Sequence, residues 1–241
     1  DIKLSSWDKT LSETQMRIES LFADYRKNTR ALDDVLFEQR KVIDSWRTRI
    51  LYHRPDVEVE HVLNAYVAAR ANEFLAGGDE YTLSEVWQAV CSGLSVTQEP
   101  IEHGDTVLDT FDVEKYIPVL QIKLKQMYSS MWDNLYVQFD VLSEQDKEKY
   151  ERTALLEVID RLWIDHLSAL ELVYRGSELS VMANKNPIFE FKQRAFDAFK
   201  SLHELYNQSA AEKMINGLQY VIQAHQEQVA DDDAEADLTS V

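Results

Sequence analysis

Between Asp1 and Arg54 the chain contains neither glycine nor proline. No other feature restricts the fold as much, because these two residues are the strongest punctuation between helices and turns. Within the stretch, apolar residues recur at Leu21/Phe22, Tyr25, Leu32, Val35/Leu36, Val42/Ile43, Trp46 and Ile50, which is helix spacing. Thr10 or Ser12, with Glu13 or Gln15 three residues on, offers a start like a capping box, and Pro55 offers a stop. A helix of about 40 residues is roughly 60 Å long. A small domain is narrower than that, so the helix is either a coiled coil or a strut touching several bodies. The apolar positions do not keep a strict heptad, which favours the strut.

Six glycines and four prolines in 241 residues leave too few turns for a doubly wound α/β or an all-β fold. The expected class is all-α. After the long helix, VEVEHVLNAYVAARANEFL reads as amphipathic helix and AGGDEY (76–81) as a turn. TLSEVWQAVCSGL reads as a short helix with Thr82 as N-cap and Glu85 at the third position, and SVTQEPIEHGD as a loop. A helix spans about 111–139, interrupted or begun near Pro118, and another runs from about 146 to 175 behind Ser143 as cap. Its stripe is Leu155, Ile159, Leu162/Trp163, His166, Leu170 and Val173, and Gly176 breaks the pattern. Asn186 and Pro187 open the next helix as N-cap and first-turn residue. That helix carries Ile188, Phe191, Ala195, Phe196/Phe199, Leu202 and Leu205/Tyr206, so the two helices form an αα-hairpin. The tail VADDDAEADLTSV has five acids and no base, and is expected to be disordered.

The formal net charge of −18 argues against nucleic acid as a partner, which needs a basic footprint. Cys91 is the sole cysteine, so no intrachain disulfide forms, in keeping with a reducing compartment. No apolar run approaches the length of a membrane span. The opening DIKLSSWDKT has no signal-peptide pattern and no initiating methionine, and reads as the interior of a longer chain. Neither GxxxxGK[ST] nor GxGxxG occurs, so the chain holds no P-loop of its own. The six histidines form neither HxxxH nor HExxH, so no metal is expected. His166 lies on an apolar stripe one turn from Trp163. Asp165 beside it points away along the helix, so a packed histidine with a carbonyl partner is favoured over a catalytic one.

Asp33 and Asp34 diverge by about 100° around a helix and cannot act on one substrate atom. They read instead as a solvated face, within reach of Lys27, Arg30, Arg40 or Lys41, or as a docking strip. Residues 26–49 carry seven bases and four acids, and residues 175–194 carry four bases and two acids. Such local reversals in an acidic chain mark candidate partner surfaces.

The segment RKNTRALDDVLFEQRKVIDSWRTRIL (26–51) resembles, in register, the pattern RKxxLxYDDVxNxQRxxIYxxRxxIL of SecA, the motor of bacterial protein export. QMRIE (15–19) fits that family's QxKVE, and TLSEVWQAVCSGL is similar to its SLEEMWDxxxL. LLEVIDRLWIDHLSALELVYRGSELSVMANKNPIFEFKQRAFDAF is similar to LxxLDxLWxxHLxxMDxLRxGIxLRxYxQxDPxxEYKxExFxxF. The resemblance covers about 12–222. It departs at Leu32 and Phe37, where the family has tyrosine and asparagine, and at Ser180 and Met182, where it has arginine and tyrosine.

The resemblance implies four regions: 1–52 as the long helix of the helical scaffold, 53–148 as the helical wing, 149–222 as a two-helix finger with the scaffold return, and 223–241 as the acidic tail. It implies a motor-docking face at Arg26, Lys27, Asp33, Asp34, Gln39, Arg40 and Arg47, and a finger core of Leu162, Trp163, His166, Phe191 and Phe199. Arg175, Gly176, Leu179, Val181, Met182 and Lys185 would form the finger tip. The implied partners are the chain's own nucleotide-binding motor folds, which would hold ATP and Mg, together with the SecYEG translocon and unfolded preprotein. The implied location is cytoplasmic and peripheral at the inner or thylakoid membrane, with room for a homodimer. The chain itself would be non-catalytic. A free-standing helical adaptor is the rival reading, and a hydrolase built on His166 a distant third.

Overall fold

The structure, a computed structural model, describes residues 2–77, 81–96, 100–108, 113–139, 142–178 and 186–239. Six helices account for nearly all of them: α1 (Ile2–Tyr52), α2 (Asp56–Leu75), α3 (Leu83–Cys91), α4 (Val113–Gln138), α5 (Glu144–Glu178) and α6 (Pro187–Thr239). The only strands among the described residues are two-residue pieces, β1 (Tyr81–Thr82) and β2 (Val107–Leu108), paired antiparallel. The fold is all-α.

Several expected ends move. α1 starts at Ile2 rather than near Thr10, and its 51 residues span about 77 Å. Thr10 is no cap, since it lies two turns inside the helix, where its carbonyl also accepts from the Thr14 hydroxyl. α4 carries Pro118 inside it rather than starting there. So close to the helix start, a missing N–H forfeits a single bond. α5 runs through Gly176 to Glu178, and the Ser177 hydroxyl donates to the Tyr174 carbonyl at 2.7 Å in its last turn. α6 continues through the acidic tail to Thr239. No glycine or proline follows Gly217, so no backbone signal ends the helix where composition suggested disorder. Three caps match expectation. Thr82 and Glu85 form a reciprocal capping box, and the Asn186 carboxamide accepts from the N–H groups of Ile188 and Phe189. Asp146 reaches back to the Ser143 N–H and hydroxyl.

The helices pack into two compact units. Unit 1 comprises residues 1–46 and 163–202, and unit 2 residues 47–162 and 203–241. Each of α1, α5 and α6 therefore gives one segment to each unit.

In unit 2, α2 buries Val62, Leu63, Tyr66 and Val67, and α3 buries Leu83, Val86, Trp87 and Val90. The Tyr66 hydroxyl donates to the Val90 carbonyl at 2.9 Å, tying α2 to the end of α3. Arg152 on α5 donates to the Leu51 and His53 carbonyls, placing a cation where the orphan carbonyls and negative dipole end of α1 collect. Gly217 lies mid-helix, where glycine is normally unfavourable. A Cβ there would stand 2.3 Å from the Tyr150 hydroxyl, which donates to the Met214 carbonyl at 2.8 Å. The glycine lets α5 and α6 approach.

Glu151 is 2 % exposed and accepts a hydrogen bond from the Tyr128 hydroxyl at 3.0 Å. Burial pushes its carboxyl above the ordinary range, against a lowering by the Tyr128 bond and Lys147 and with a further raise from Glu144 and Asp56. A folded-state value above the unfolded one means that Glu151 stabilises fully below the unfolded value. That contribution is lost as pH rises through the folded value. Glu151→Gln is therefore expected to melt higher than the parent at pH 7 and to lose that advantage at about pH 3, below the ordinary glutamate range, where the parent carboxyl is protonated in both states. Melting curves at the two pH values check this; a Gln variant that melts lower at pH 7 contradicts it.

Candidate functional site

Unit 1 holds most of the residues singled out from sequence. Its core is Leu170 of α5 with Phe191 and Ala195 of α6, packed against Leu32, Val35 and Leu36 of α1 and Val173 and Tyr174 of α5. Tyr174 meets Phe191 edge-on at 5.8 Å, and His166 lies 5.6 Å from Phe199. A lower number on α5 thus faces a higher one on α6, and the two segments run antiparallel.

Gln39 and His166 are buried polar side chains in this apolar setting, as is Ser177 at the end of α5. Gln39 donates from Nε2 to the Ala195 carbonyl at 3.0 Å, and its Oε1 lies 2.9 Å from His166 Nε2. A backbone carbonyl only accepts, so the amide must turn its NH₂ to Ala195 and its oxygen to the ring. His166 then carries its proton on Nε2. Burial lowers the His166 pKa from its ordinary value, so the ring is neutral at pH 7. Trp163 stacks on it at 5.6 Å. This completes the reading of His166 as a packed histidine, with the carbonyl coming from a side chain on another helix. Phe191 is buried, and Trp163 and Phe199 are half-buried. Leu162, also half-buried, falls in unit 2.

The expected docking face separates under this geometry. Arg26, Lys27, Asp33, Asp34 and Arg40 are exposed. Gln39 is not on that face: a 100° step from Arg40 turns it into the core. Arg47 is half-buried and forms an ion pair with Asp160 in unit 2. Asp33 and Asp34 make no ion pair with the bases expected to reach them; Lys41 pairs with Glu38 at 2.9 Å and lies over the Phe37 ring. Arg175 pairs with Glu171 at 2.6 Å near the end of α5. Gly176 is helical, and among the described residues a Cβ there would meet Arg194, at an ordinary 3.8 Å. Leu179, Val181, Met182 and Lys185 lie outside the described residues.

Sequence reading missed a groove of about 450 Å³ between α1 and α6. Val35, Val42, Phe196 and Phe199 give it apolar walls, Gln39 lines it, and Asp34, Glu38 and Lys192 supply charge. Phe196 is 68 % exposed although it shares a stripe with Phe199, because α6 buries its Phe191–Ala195–Leu202 edge instead. The pairing of Phe196 with Phe199 in the pattern was the one available signal. Among the described residues no group of acids, histidines or cysteines could hold a metal, and no helix is long and apolar enough to cross a membrane.

Residues 1–217 match the family described as the SecA Wing and Scaffold domain. The chain is 27 % identical over 233 residues to protein translocase subunit SecA 1 of Corynebacterium jeikeium, covering 90 % of this chain and 26 % of that protein. It is 26 % identical over 203 residues to SecA 1 of Mycobacterium tuberculosis, covering 80 % and 21 %, and 25 % identical over 201 residues to SecA of Kineococcus radiotolerans, covering 81 % and 22 %. The chain thus spans about a quarter of the length of these relatives. With the family matched over nearly all of the folded chain, this protein belongs to the SecA family through its wing and scaffold region.

Proposed function

We propose that the chain is the non-catalytic scaffold, wing and finger portion of a SecA-like, ATP-driven protein-export motor, and that it regulates the motor through α1. The observation that carries this is the first half of α1. Trp7, Leu11, Ile18, Leu21 and Tyr25 recur at helix spacing, and each is 46–75 % exposed. An apolar stripe of five turns left in water needs a covering body. The exposed charges Asp33, Asp34 and Arg40 continue along the same helix as a polar rim. On this reading the cover is the motor's nucleotide-binding folds, which hold ATP and Mg. The α5–α6 hairpin is the finger, and its tip, from Arg175 and Gly176 through Leu179, Val181, Met182 and Lys185, contacts preprotein and the SecYEG channel. The protein then works in the cytoplasm and peripherally at the membrane, as monomer or homodimer. The alternative, a free-standing helical adaptor, draws on the buried core that each unit has within this chain.

The test adds this chain to a separately expressed upstream motor half and measures ATPase rate and co-purification. A saturable change in rate, abolished by Leu21→Glu with Leu11→Glu, is expected. A flat rate with no association overturns the motor reading and leaves the adaptor.

A further inference from the structure

Apolar packing along α1 does not by itself say which turn of the helix belongs where. Leu32, Val35/Leu36, Val42/Ile43 and Trp46 repeat at near-equal spacing on one face. Advancing α1 by one turn, about 5 Å, sets one apolar side chain where another was. Between Leu32 and Trp46, Gln39 is the one polar residue in that repeat.

We propose that Gln39 is a register lock, fixing α1 axially against α5 and α6 at once by its two hydrogen bonds to His166 and to the Ala195 carbonyl. Hydrophobic contact is non-directional, whereas an amide bonded at 3.0 and 2.9 Å on its two ends tolerates no axial slip. A slip of one turn brings Val35/Leu36 or Val42/Ile43 opposite His166. The neutral ring then keeps a buried Nε2–H with no acceptor. A buried donor left unsatisfied lowers the population of such a state roughly tenfold to hundredfold. His166 is 5 % exposed and Gln39 8 %, so water does not readily replace the lost partner. Trp163 and Phe199, each with its ring centroid 5.6 Å from the imidazole, crowd the ring and oppose its turning to find a new acceptor. A single buried polar position can choose one register among apolar alternatives of similar stability. In the proposed motor, where α1 carries axial load, slip is the deformation that apolar contact resists least; that clause alone rests on the motor reading.

The experiment uses the 241-residue chain without a motor, so its outcome is separate from the ATPase test. Spin labels at Lys41→Cys on α1 and Lys192→Cys on α6 report the axial distance, with Cys91 buried and unlabelled. The parent is expected to give one narrow distance. Gln39→Leu and His166→Leu alone are each expected to lower the melting temperature. Combined, they restore it, because no polar group is then left unsatisfied, but a second distance about 5 Å away appears. His166→Gln, which retains an N–H donor, keeps the single distance. A single narrow distance in the combined variant, equal to the parent's, overturns the proposal, as does a second distance in His166→Gln. Should either single leucine variant fail to fold, these two variants still decide.

Discussion

Replacing Phe191 with alanine is expected to remove about 3–5 kcal/mol from the stability of unit 1. The ring is 2 % exposed and sits among Leu170, Ala195, Leu32 and Leu36, where three helix segments converge. It meets Tyr174 edge-on at 88°, a geometry that adds to area burial. The void beside it, between Asn28, Ala31, Pro187 and Ile188, is about 10 Å³, so the surroundings are already filled. They can close on the lost ring only by moving helices, and the cavity persists. Amide hydrogen exchange in residues 163–178 of α5 and 187–199 of α6 should accelerate by orders of magnitude. Phe196→Ala, five residues on and 68 % exposed, is the control and should shift stability by no more than about 0.5 kcal/mol. Equal effects at the two positions would mean that the packing of α6 is not as described.

The second large effect belongs to unit 2. Trp87→Ala is expected to cost about 3–5 kcal/mol there. Trp87 is 2 % exposed on a nine-residue helix that also buries Leu83, Val86, Val90 and Cys91, so α3 is held chiefly by its apolar face. A helix this short has little stability alone, and its capping box contributes only about 1 kcal/mol. Cys91 supplies a native probe. Its thiol is 1 % exposed, and burial pushes its pKa up to about 12, against a lowering by Lys123. In the parent it should react with a disulfide reagent only through opening of unit 2, and in Trp87→Ala faster in proportion to the lost stability. Gln88→Ala, on the exposed side of the same helix, should leave the rate unchanged. An unreactive Cys91 in Trp87→Ala would show that α3 is held by something other than its apolar face.

The all-α class, the short helix behind Thr82 and the entry of α6 at Asn186–Pro187 were legible because their causes are local. A cap needs an oxygen within three residues of an orphan N–H, and a run without glycine or proline needs nothing beyond itself to be helical. The stripe of α5 was legible for the same reason, since period 3.6 selects Leu155, Ile159, His166 and Leu170 whatever they pack against. The ends of α5 and α6 were not, because Gly176 and the acidic tail are only statistical stops, which a continuous helix overrides.

That the chain is a set of helices, that one of them is too long for a single core, and which family's pattern it follows can all be read from the order of its residues. Which side chains on those helices meet depends on how the helices pack. Gln39 and Arg40 are neighbours in one motif and read alike as a docking strip, yet one is bonded inside a three-helix core and the other faces water. Phe196 and Phe199 are likewise alternatives until α6 is set against α1. The reason is physical. Helix formation is a short-range property of the backbone, whereas burial depends on the rotation and axial position of one helix against another. Those are fixed by contacts between residues more than a hundred positions apart, such as Gln39 with His166 and Ala195.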